Sequence, residues 1–114
     1  MVEEYDKLLP KIKEKLSILN YKLTDSTDFG AVFINESNWK IVFSGERYVR
    51  PAFDLEIVKS NLCFSIWILM EVFKINKKPS LEEQLNFIIK YQKEIFVENP
   101  SYTEAYNKLN DIEV

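Results

Sequence analysis

Phe29-Gly30-Ala31-Val32-Phe33-Ile34-Asn35-Glu36-Ser37-Asn38-Trp39-Lys40-Ile41-Val42-Phe43 decides the fold. Aromatic and β-branched residues crowd Phe29–Glu36 and again Trp39–Phe43, with the turn formers Ser37 and Asn38 between them. That composition predicts two antiparallel strands joined as a hairpin. Upstream, Tyr21–Thr24 reads as a short strand and Asp25-Ser26-Thr27-Asp28 as a turn. Downstream, Ser44-Gly45-Glu46-Arg47 reads as the next turn and Tyr48–Val58 as a further strand. In that strand Phe53, Leu55 and Ile57 point to one face while Asp54 and Glu56 point to the other. Pro51 cannot donate a ladder hydrogen bond and belongs at a strand start or an edge.

Helical periodicity lies on both sides of this sheet. Leu8, Leu9, Ile12, Leu16 and Leu19 recur at helix spacing. Pro10 puts the regular start near residue 9, and Asn20 suits a left-handed stop. After the sheet, Ser60 or Asn61 is read as the cap of a helix over Leu62–Lys74. Ser80-Leu81-Glu82-Glu83 is a capping box, followed by an apolar stripe from Leu81 to Phe96. Asn99-Pro100 ends that helix. Ser101-Tyr102-Thr103-Glu104 repeats the capping pattern, with Tyr102, Ala105, Tyr106 and Leu109 facing inward.

The expected class is therefore α+β in one domain, residues 1–114. It has an N-terminal helix, a three- to four-stranded antiparallel meander and two to three C-terminal helices packed on one face. The other sheet face stays free for a partner.

Composition removes several kinds of chemistry. The 114 residues include no His and one Cys, Cys63, but eight Phe, six Tyr and two Trp. Histidine is the commonest general acid/base and metal ligand, so its absence argues against an enzyme and against metal sites built on His or several Cys. Cys63 lies in an apolar run and reads as a buried, inert thiol. Gly30 and Gly45 stand too far apart to form a phosphate-binding loop. The formal net charge of −3 argues against binding nucleic acid. No basic start followed by an apolar core suggests a signal peptide, and Leu62–Met70 is too short to span a bilayer, so a cytoplasmic setting without membrane contact is expected. No catalytic residue, metal or cofactor is expected.

Two aromatic residues read as possible interface anchors: Trp39, beside the Ser37-Asn38 turn, and Tyr48, after Gly45-Glu46-Arg47. Core packing is the competing reading for Trp39, and Trp67 reads as core. Asp54 and Glu56 could bind a divalent cation, although strand alternation alone also places them in water.

From Phe29-Gly30 onward the chain resembles a group of small bacterial proteins. That group has a helix, then an aromatic strand, a Phe-Gly strand opening, a Phe-Val-Arg-Asp-Arg-Gly-like hairpin, an acidic strand and a late Glu-Gln-x-x-Phe helix. Phe43-Ser44-Gly45-Glu46-Arg47-Tyr48, Asp54-Leu55-Glu56 and Glu83-Gln84-Leu85-Asn86-Phe87 occupy the last three places. Gly45 stands where the group has a basic residue, and Tyr48 where it has glycine. The group resembles immunity proteins encoded beside polymorphic or contact-dependent growth-inhibition toxins. The resemblance implies a cytoplasmic protein that binds one cognate toxin domain, a basic nuclease, and occludes its active site. Its candidate contacts are Asp25, Asp28, Glu36, Trp39, Glu46, Arg47, Tyr48, Asp54 and Glu56, on the turns and the free sheet face. A non-catalytic adaptor or regulatory subunit of a protein complex is the alternative. A hydrolase using carboxylates and a metal ion is the third reading. The oligomeric state stays open.

Overall fold

A computed structural model describes residues 1–48, 52–75, 79–98 and 100–113. The chain opens with a single helical turn, α1 (Glu3–Asp6), and the helix α2 (Leu9–Ser17). Pro10 sits in the first turn of α2, where a backbone N–H has no helical partner to lose. Ile12 and Leu16 face the core. After α2 the chain reverses at Asn20, whose φ is 62°. The Tyr21 N–H donates to the Leu16 carbonyl at 3.1 Å and the Asn20 N–H to the Ser17 carbonyl at 3.0 Å. This pair of bonds is a Schellman closure, and asparagine tolerates the left-handed position it needs.

Five antiparallel strands follow: β1 (Lys22–Ser26), β2 (Gly30–Ile34), β3 (Lys40–Gly45), β4 (Phe53–Lys59) and β5 (Leu62–Ser65), in the order β1-β2-β3-β4-β5. The expected hairpin is present as β2 and β3, with Val32 opposite Val42 and Ile34 opposite Lys40. On the inner face Ala31, Phe33, Ile41, Phe43, Leu55, Ile57 and Phe64 are buried, and the helices pack against them. β4 keeps the expected alternation. Its pairing starts at Phe53, and Pro51 lies outside the described residues.

Residues 62–74 differ from the expected single helix. They form β5 and then α3 (Ile66–Val72). An almost wholly apolar run has no polar stripe to separate a period of two from one of 3.6. Tertiary pairing decides instead. Ser60 adopts φ 53° in a two-residue turn with Asn61, so these residues close a hairpin rather than cap a helix. Leu62 then pairs with Lys59 and Ser65 with Glu56. α3 ends in a second Schellman closure around Lys74, at φ 59°, with the Ile75 N–H donating to the Met70 carbonyl at 2.8 Å.

The capping box forms at the start of α4 (Leu81–Lys90). The Ser80 hydroxyl accepts from the Glu83 N–H at 3.2 Å, and the Ser80 N–H donates to the Glu83 carboxylate at 3.0 Å. The apolar stripe continues past a break at Tyr91 into the single turn α5 (Gln92–Ile95). The last helix, α6 (Thr103–Glu113), begins one residue later than the Ser101 cap implies, and the Thr103 hydroxyl donates to the Pro100 carbonyl at 3.0 Å. Tyr102 and Tyr106 are buried edge-on against Phe64, while Ala105, expected inside, faces solvent. Among the described residues no helix is long and apolar enough to cross a membrane.

Candidate partner-binding surface

Because the helices gather on the inner face, no layer of the described residues covers the outer face of the sheet. Register places three cross-strand rows there. Gly30, Ser44 and Asp54 form the first. Asp25, Val32, Val42, Glu56 and Ser65 form the second. Lys22, Ile34, Lys40, Val58 and Cys63 form the third.

The antiparallel order brings the β1–β2 turn and the β3–β4 loop to one end of the sheet. Asp25 and Asp28 stand in or beside the first, Glu46, Arg47 and Tyr48 in the second, and all five are exposed. Tyr48 is 89% exposed. The Arg47 guanidinium lies 5.0 Å from the centre of the Phe29 ring. Tyr5, fully buried, anchors the loop from beneath. Its hydroxyl lies 2.7 Å from both the Glu46 and the Ala52 carbonyl oxygens, donating to one at a time. The first residues, which lie before the regular helix expected from residue 9, thus supply the support of this end. Gly45, which leaves room for the Tyr5 ring, is the sequence signal that could have pointed to it.

Asp54 sits where the loop end meets the outer face. Its Oδ2 accepts from the Ser65 hydroxyl at 2.9 Å, while its Oδ1 is buried and, among the described residues, within hydrogen-bond distance and angle of no donor, the nearby Leu55 N–H helping the carboxylate only weakly. Ser65 occupies the N-cap position of α3 but makes no side-chain cap there, its hydroxyl going to Asp54. Burial raises the Asp54 pKa to about 6, against the lowering effect of that hydrogen bond, and the negative charges of Glu56 and Glu46 push the same way as burial.

Cys63 corrects one expectation. It lies exposed on the outer face, not in the core, and its Sγ donates to Glu56 Oε2 at 2.9 Å. Desolvation, then the bond to Glu56, push its thiol up to about 12, so little nucleophilic thiolate forms at neutral pH. Among the described residues no group of three or more Cys, Asp and Glu is placed to hold a metal ion.

Glu36 and Trp39 do not join this surface. They belong to the β2–β3 turn at the opposite end, where the Asn35 carboxamide oxygen accepts from the Ser37 and Trp39 N–H groups at 3.0 Å each. Glu36 is exposed there. Trp39 is 4% exposed, edge-on to Phe96 at 5.3 Å, with the Lys59 ammonium 5.4 Å from its ring centre. It is a core residue and cannot serve as an interface anchor. Comparison of the chain with protein-family models, with curated proteins and with solved structures gives no match.

Proposed function

We propose that this chain is a cytoplasmic, non-catalytic inhibitor of the immunity type, which binds a cognate toxin domain and covers its active site. The observation that carries this reading is the placing of Asp28, Glu46 and the exposed Tyr48 in the two loops at one end of the sheet, with Asp54, Asp25 and Glu56 on the adjoining rows of its outer face. Acidic groups so placed speed the approach of a basic protein, and an exposed Tyr supplies contact area at low entropic cost. A cation delivered by the partner would also supply Asp54 with charge compensation that none of the described residues provides. The sequence resemblance supplies the toxin; the surface supports a basic one, such as a nuclease.

The test is to express the toxin domain encoded beside this gene, with and without the chain. Growth should be rescued by the native chain and lost when Asp54→Lys and Glu56→Lys are combined in a protein that still folds. Rescue undiminished by that charge reversal would overturn the assignment of the surface. Failure of the native chain to bind the toxin would overturn the function.

A further inference from the structure

Adjacent rows of the outer face carry opposite charge. The second row has Asp25 and Glu56, the third Lys22 and Lys40. Half-buried Val32, Ile34, Val42 and Val58 lie between them. A purely basic protein spread over both rows would meet Lys22 and Lys40 as repulsion. A surface of the same design meets no such conflict.

We propose that this face docks against a second copy of the chain, about a two-fold axis that crosses the strands between the two rows. That operator lays each row on the other row of the second copy. Asp25 comes over the copy's Lys22, Val32 over its Ile34, and Glu56 beside its Lys40, and every contact occurs twice. The inference rests on the reading above that this face is a docking surface, and it adds regulation: the second copy must leave before a foreign protein reaches Glu56.

Five strands about 4.8 Å apart and about five residues long give a footprint of roughly 400 Å² per copy. Twice that is below the roughly 1,200–2,000 Å² of a standard stable interface, so the pair is weak and exchanges quickly. Its dissociation constant should be on the order of 100 μM at low ionic strength.

Sedimentation equilibrium of the full chain alone tests this, from about 10 μM to about 1 mM. The expected result is a monomer–dimer equilibrium that weakens at least about tenfold between about 0.02 M and about 0.5 M salt. A variant with Lys22→Glu and Lys40→Glu should be monomeric, as should one with Asp25→Lys and Glu56→Lys. Their equimolar mixture should form a heterodimer, because all four contacts are restored. If Glu56→Lys disturbs folding by circular dichroism, the exposed Asp25→Lys alone is mixed with Lys22→Glu alone, a pair that again restores all four contacts. A native chain monomeric throughout, a dimer indifferent to these reversals, or a mixture that stays monomeric would each overturn the proposal. No toxin is present, so these outcomes leave the inhibitor reading untouched. Failed growth rescue beside intact dimerisation would remove that reading instead.

Discussion

The Tyr5 ring occupies the space that a side chain on Gly45 would need: a Cβ there would lie 2.5 Å from Tyr5 Cε2 and Cζ. Gly45 does not have positive φ, so its backbone would accept any residue. The requirement for glycine comes entirely from the ring. Gly45→Ala should therefore cost about 2–3 kcal/mol by overpacking. In a Tyr5→Ala background the same change should cost a few tenths of that, since the obstacle is gone. Urea denaturation of the four proteins measures the coupling; equal costs in both backgrounds would show that Tyr5 is not the reason.

Asp54 makes stability depend on pH in an identifiable window. Its folded pKa lies near 6 against an ordinary 3.8, so the folded state holds this proton more tightly than the unfolded chain. The stabilisation is complete below the unfolded value, is lost as pH rises to about 6, and is absent above. Asp54→Asn removes the titration. It should be more stable than the native chain at pH 7 by about 1 kcal/mol, a figure reduced for the group's partial exposure. The advantage should vanish near pH 3.5. Thermal unfolding of both proteins across this range checks it, and a difference independent of pH would contradict the account.

Lys74 holds φ 59° in the closure of α3, a position where a side chain is strained and glycine is not. Lys74→Gly should stabilise the protein by about 0.5–1 kcal/mol, because relief of strain exceeds the added entropy of the unfolded chain. Lys74→Val should destabilise it by a similar amount. Denaturant midpoints at constant slope measure both.

These positions also show what could be read from residue order. Asn20 announced its left-handed turn because asparagine is chemically suited to one; Lys74 gave no sign, since its conformation is imposed by the hydrogen bonds around it. The β2–β3 hairpin and the Ser80–Glu83 cap were legible because their signals are local. β5 was not, because pairing with β4 settles an apolar run that would serve either structure. That omission hid the candidate site's chemistry. The outward position of Asp54 followed from alternation in β4, but its bond to Ser65 requires β5 beside it. Trp39 could be read from the sequence as an anchor or as core, and its contacts with Phe96 and Lys59, remote in the chain, decide for core.

Two aromatic residues offered by the sequence as contacts should respond oppositely to alanine. Trp39 is packed beneath the β2–β3 turn, so Trp39→Ala should lose about 3–5 kcal/mol of stability through the cavity it leaves. Tyr48 is 89% exposed, and Tyr48→Ala should change stability by less than about 0.5 kcal/mol. If the loop end is the contact surface, Tyr48→Ala should nevertheless weaken toxin binding by about 2 kcal/mol, roughly thirtyfold. Calorimetric titration at a temperature where both variants are folded separates the two effects. Trp39→Ala should there retain affinity close to the native value, since its side chain is buried at the far end of the sheet. The reverse pattern, with Tyr48 silent and folded Trp39→Ala defective, would move the binding surface to the β2–β3 turn and away from Asp54.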